Sequence, residues 1–422
     1  MMALGKRELL MFGFTAIVLG LVFAWLGAAY TVRMLAEASC YALLALGLNI
    51  QWGYAGLFNA GVMGFVAVGG FMTMLISYPV NQAFWASAGP GQLAKAAFFA
   101  VATAVVAMVL HKIRRKGLSP RLTAFAMVMV IAVGYLLTIG TLDPATQLIE
   151  KEAGFIGGLG LPVWFGWLVG GIAAGAISYF IGKICLGLRS DYLAIATLGI
   201  AEIIKAVLKN ADWLTRGTLT VSPLPWPVPT PDEVGFIAAR SAYLAVTATL
   251  MVIIFIAVQR AYRAPWGRMM RAIRDNEISA GSMGKDVNRR RLEIFVFGSV
   301  VMGVAGAALV SFSRIFDPSG FIPLNHTFLV WVMVILGGSG NNLGAIFGAL
   351  LVYIIWTMSE PAALFLFELI RAGGESMFDW QAPADLNSRA LQMRVFVIGL
   401  TITLVLRFAP QGLLPEKTAK FD

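Results

Sequence analysis

The chain is poor in charge. Of its 422 residues only 13% are Asp, Glu, Lys or Arg, about half the share of a soluble domain. So few charges cannot cover the surface of a folded chain this long, which excludes an ordinary soluble protein. Cysteine is scarce as well. Cys40 and Cys185 stand far apart with no CxxC spacing, so neither a disulfide nor a metal site is expected. With only His111 and His326, imidazole chemistry is poorly supplied, and no clustered His, Cys and carboxylate set points to an integral-membrane enzyme. The Walker pattern GxxxxGK[ST] is also missing. Its nearest approach, GSMGKD at Gly281–Asp286, carries Asp286 where a hydroxyl belongs. ATP must then bind on some other chain.

What is abundant is apolar. Hydrophobic residues make up 59%, with 45 glycines besides, and the net charge is +10. The bases sit in short tracts between apolar runs, as in a polytopic membrane protein and unlike a nucleic-acid-binding face. Membrane lipid is therefore the expected surrounding, and nucleic acid is not an expected partner. A helical span takes about 20 residues. On that length, spans fall near 9–30, 34–52, 57–77, 94–110, 122–140, 162–182, 192–209, 236–259 and 293–313. An interrupted pair at 326–336 and 343–358 and a last helix at 394–408 bring the segments to twelve. The first exceeds a signal-peptide core and reads as an uncleaved anchor. Twenty-one of the 32 bases lie in one set of loops, Arg115, Lys116, Lys417 and Lys420 among them. The alternate loops hold acids such as Glu150, Asp232, Glu360, Asp379 and Asp385. The basic set is expected to be cytoplasmic, with both termini on that side. The fold class follows: an all-α, polytopic helical bundle forming a single transmembrane domain over 1–422.

Two stretches resemble one another. Leu48–Ser77 and Val334–Met358 are apolar runs broken by glycine clusters, Gly53 and Gly56 in one, Gly337, Gly338 and Gly340 in the other. Backbone that leaves the helix at membrane depth is tolerated only beside protein or a wet cavity, and broken helices at matching places in two halves point to a transport path. Close helix packing is the plainer use of such glycines. The candidate path residues are Asn49, Gly53, Gly56, Asn59, Gly61, Glu202, Gly337 and Gly338. Glu202 and Lys205, one turn apart, can pair on one helix face. An ion-coupled transporter would instead use Glu37 or Glu202 as its ion site.

Residues 260–292 form the most basic loop. After Pro265 and Gly267, a helix-compatible run from Met269 to Met283 ends at Gly284, a C′ position. Met270, Ile273, Ile278 and Met283 are expected to make one apolar ridge, with Arg271, Arg274, Asp275 and Glu277 solvated. Such a helix lies either in the headgroup layer or in a groove on a partner. Glu277-Ile278-Ser279-Ala280, with Gly284 four positions later, resembles the EAA loop of ABC-importer membrane subunits. YALLALGLNIQWGYAGLFNAG, YLAIATLGIAEIIK, PWGRMMRAIRDNEISAGSMG, LGGSGNNLGAIFGA and the terminal FAPQGLL together look like the LivM-type permease of branched-chain amino-acid ABC importers. The resemblance implies a coupling helix at 260–292 seated on an ATPase subunit, with Arg271, Arg274, Glu277, Ala280 and Gly284 as coupling residues. It also implies two ATPase subunits holding ATP and magnesium, a second homologous permease, an extracytoplasmic amino-acid-binding protein and a bacterial inner-membrane location. Urea or short-amide permeases share much of the pattern. Residues 80–160 depart from it as an insertion, expected to add two spans on the lipid-facing rim.

Overall fold

The computed structural model describes residues 5–114, 120–378 and 386–416. Among them no strand forms beyond two isolated bridges, and helix follows helix. The charges at Arg115, Lys116, Asp379, Asp385, Lys417 and Lys420 lie outside these residues. The main helices are α1 (Lys6–Ala55), α2 (Val62–Ser77), α3 (Gly89–Arg114), α4 (Pro120–Glu152), α5 (Val163–Cys185), α6 (Ser190–Asn210) and α7 (Phe236–Arg263). They continue as α8 (Pro265–Asp275), α9 (Glu277–Ser282), α10 (Val287–Ser313), α11 (Pro323–Gly337), α12 (Asn342–Phe378) and α13 (Leu386–Phe408). Seven are long and apolar enough to cross a membrane by themselves, and the protein is a multi-pass membrane protein.

Several boundaries differ from the sequence reading. The expected break between 30 and 34 is helical. The chain bends earlier, at Gly27, whose φ of 81° and ψ of 174° suit a residue without Cβ. Thr31, Val32 and Arg33 offer no breaker, so helix resumes at once. The expected 343–358 segment continues through Pro361 to Phe378, and α13 starts at Leu386 rather than 394. Likewise α4 passes Pro144 and runs to Glu152. At Pro144 and Pro361 the proline removes one backbone donor without ending the helix.

The second half of α1 threads the bundle, and every residue from Ala42 to Ile50 is buried. Beside it, α2, α5 and α10 meet backbone to backbone. A Cβ on Gly69 would lie 1.9 Å from the Gly303 carbonyl oxygen, one on Gly306 2.4 Å from that of Val66, and one on Gly170 3.0 Å from that of Gly69. Small residues at crossings let helices approach this closely. The 80–160 segment is different. The most apolar window of α3 is 6% buried and that of α4 11%, against 72% for α10, so the α3–α4 hairpin packs on itself and faces outward. Asn81 secures its base by donating to the carbonyls of Ala153 (3.0 Å) and Phe155 (2.7 Å).

Candidate functional site

The two glycine breaks touch. α1 stops at Ala55 because Gly56 turns left-handed, with φ 65°. α11 stops at Gly337, and Gly338 and Gly340 carry the chain to α12 with φ of 111° and 82°. Gly53 lies in the last turn of α1 rather than at the break, and a Cβ there would sit 2.5 Å from Gly340 N. Gly340 N–H donates to Asn49 Oδ1 at 2.8 Å. Asn49 Nδ2 (3.1 Å) and Tyr54 OH (2.6 Å) both donate to Asn342 Oδ1, while Asn342 Nδ2 donates to Gln259 on α7 at 2.8 Å. The first break has its own brace. Asn59 donates to Gln51 Oε1 and accepts from Gly61 N–H, both at 2.8 Å, and its carbonyl takes the Trp331 indole N–H at 2.9 Å. Gly61 presses on α6, where a Cβ would lie 2.4 Å from the Thr197 carbonyl. Asn49 and Asn59 were expected to line a path. Both are fully buried, and these bonds occupy their amides as struts between the broken helices.

The basic loop folds as two helices rather than one. Pro265 opens α8, and Gly267 permits the turn, since a Cβ there would be 2.1 Å from the Tyr262 carbonyl. Asn276 then leaves the helix (φ −155°) and caps α9, its Oδ1 accepting from Ser279 N–H at 3.0 Å. Gly284, at φ 75°, follows the end of α9 as expected. The single ridge is therefore split. Met270 and Ile273 are buried against the bundle, whereas Ile278 is 83% and Met283 80% exposed.

The charges are less solvated than expected. Arg271 stacks 4.6 Å above the Tyr262 ring. Arg274 Nη1 donates to the Gly53 carbonyl and lies 2.9 Å from Glu416 Oε2. Burial lowers the Arg274 pKa, but the Glu416 carboxylate, helped by Asp275, outweighs it and raises the pKa overall. Glu277 pairs with Arg291 at 2.8 Å, and Ala280 is buried. Sequence reasoning missed Glu416, Tyr262 and Asn342, which nothing in their local spacing marks.

α6 is the loosely held helix. Leu193, Thr197, Ala201 and Leu208 are buried, while Ile195, Gly199, Glu202, Ile203 and Val207 are exposed. Glu202 lies about 18 Å along a helix of about 30 Å, at about 1.5 Å per residue, so its carboxylate sits near the middle of α6 on an open face. The Glu202–Lys205 ion pair that their spacing allows does not form among the described residues. Glu37 is partnered: it accepts from Tyr353 OH and lies 3.4 Å from Arg33, beside a cavity of about 460 Å³ also lined by Glu360 and Arg394. No group of three metal-ligating side chains occurs among the described residues.

Residues 30–406 match the profile of a family described as the permease component of the branched-chain amino acid transport system. Three curated relatives carry related names. One from Salmonella typhimurium, a high-affinity branched-chain amino acid transport system permease protein LivM, is 24% identical over 87% of this chain and 86% of its own length. The Escherichia coli protein of that name is 28% identical over 61% of this chain and 58% of its own. A Methanocaldococcus jannaschii protein, a probable branched-chain amino acid transport permease protein LivM, is 24% identical over 58% and 67%. No solved structure matches.

Proposed function

The chain belongs to the family of branched-chain amino acid transport permease components, and from this premise we propose that it is one half of the membrane channel of an importer for branched-chain or related neutral amino acids. As a transporter component rather than an enzyme, it works with ATPase partners, as its family does. In the proposed assembly two ATPase subunits bind ATP and magnesium, a second homologous permease completes the channel, and an extracytoplasmic binding protein delivers the substrate. The assembly spans the inner membrane with both termini, α8 and α9 in the cytoplasm.

The observation that carries this reading is the split of the basic loop. Met270 and Ile273 already fasten α8 to the bundle, so the fold needs nothing from Ile278 or Met283. Two large apolar side chains left exposed on a short helix and at its C-cap are anchors for a groove on another protein. Closure of that partner on ATP would displace α9 and α8 and reach the glycine breaks through Arg274. The open face of α6 supports the second permease. In the proposed topology α6 crosses the membrane, and a carboxylate at its middle then faces protein or a water-filled route rather than hydrocarbon.

The test is uptake of labelled leucine by membranes containing the assembled complex. ATP depletion should abolish it, an uncoupler should not, and excess urea should not compete. Uptake lost to the uncoupler but indifferent to ATP would reject the proposal.

A further inference from the structure

Residues 409–416, which follow α13, are stitched to the second break. Leu413 N–H donates to the Leu336 carbonyl at 2.8 Å and Leu414 N–H to that of Gly337 at 2.9 Å, carbonyls that α11 leaves open where it stops. Asn341 Nδ2 donates to the Leu414 carbonyl at 3.1 Å. Gly412 lies so close to Gly338 that a Cβ would be 2.4 Å from the Gly338 Cα. Glu416 ends this strap, with its side chain 13% exposed. One oxygen accepts from Tyr262 OH at the end of α7. The other meets Arg274 Nη1, the same nitrogen that holds the Gly53 carbonyl. A Cβ on Gly340 would come 2.7 Å from Glu416 Oε2, so the carboxylate also abuts the second break.

One carboxylate thus joins α8, the end of α7 and both broken helices. We propose that Glu416 is a positioning residue for energy coupling: the 409–416 strap carries displacement of α8 to the 337–340 break, with Arg274 as the shared pin. This rests on the function proposed above. Without Glu416, α8 stays docked through Met270 and Ile273 but keeps polar contact with the first break alone. Glutamine cannot substitute well. Two donors, a phenol and a guanidinium, converge here, and an amide presents only one acceptor oxygen to them.

The experiment measures leucine uptake and ATP hydrolysis in the same proteoliposomes containing the whole complex. E416Q should assemble with unchanged subunit ratios and hydrolyse ATP at a near wild-type rate. Leucine moved per ATP should fall at least fivefold. A chain ended after Glu416 should keep the wild-type ratio, and one ended after Leu414 should lose it as E416Q does. An unchanged ratio in E416Q overturns the proposal. So does a fall of uptake and hydrolysis in equal proportion, which marks a merely structural role. If the wild-type complex shows no ATP-driven uptake, the functional reading itself fails and this one goes with it.

Discussion

Gly53→Ala places one methyl group where the two breaks meet. Its Cβ would be 2.5 Å from Gly340 N, 2.8 Å from Gly340 Cα and 2.5 Å from Asn49 Oδ1. Two of these are backbone atoms, which cannot rotate away. Ordinary contact begins at 3.4 Å, so the gap at Gly340 N must widen by 0.9 Å (3.4 less 2.5). The Gly340–Asn49 hydrogen bond, now 2.8 Å, then passes beyond bonding range. Overpacking costs about 1–3 kcal/mol, and a buried N–H left without an acceptor costs about 1–3 kcal/mol more. A central loss of about 4 kcal/mol, at roughly 1 °C per kcal/mol for a chain of 422 residues, lowers the melting temperature by roughly 4–5 °C. Helix propensity alone predicts the opposite sign, since alanine is favoured over glycine by about 1 kcal/mol inside a helix. The assay is thermal unfolding of the detergent-purified chain followed by tryptophan fluorescence. Gly199→Ala is the control, because nothing lies within 4 Å of a Cβ there; its melting temperature should hold or rise slightly. Gly53→Ala melting at or above wild type would refute the contact between the breaks.

Other expectations concern partners. Ile278→Asp combined with Met283→Asp alters two exposed side chains, so melting should stay put. Recovery of ATPase subunits with the permease should drop on the order of 100-fold, given about 1.5–3 kcal/mol for each apolar anchor buried; undiminished recovery would remove α9 from the docking surface. Glu202→Leu should leave expression intact and cut leucine uptake about tenfold or more if loss of the carboxylate costs about 1.4 kcal/mol or more. Normal uptake would take α6 off the route. Replacing residues 89–152 by a short Gly/Ser linker should retain at least about half of uptake, because the α3–α4 hairpin packs mainly on itself; complete loss would assign it to the machinery.

Much of this architecture was legible in the chain, because hydrocarbon imposes length and composition on whatever crosses it. The apolar character, the paired glycine breaks and the C′ role of Gly284 follow from local chemistry. Of the twelve expected segments, however, the first two run on as one bent helix, and seven helices among the described residues are long and apolar enough to cross by themselves. Helix bounds at Pro144 and Pro361 were not legible, since whether proline kinks or ends a helix depends on its neighbours. The position of Arg274 was hidden for another reason. On a helical wheel it belongs with the solvated charges, and only the approach of Glu416, far away in sequence, draws it inward. Asn49 and Asn342 show the same limit. Sequence marks Asn49 as a polar group in an apolar run and gives no sign of Asn342, and their mutual bond exists only once the halves are folded together.

The glycine-lined contacts among α2, α5 and α10 have a mechanical consequence. Where main chain lies against main chain, few side-chain rotamers are available to re-sort, so sliding of these three rods past one another is resisted. On that ground they are expected to act as the fixed frame of the device. Whatever moves during a transport cycle must be sought among the parts hung around that frame.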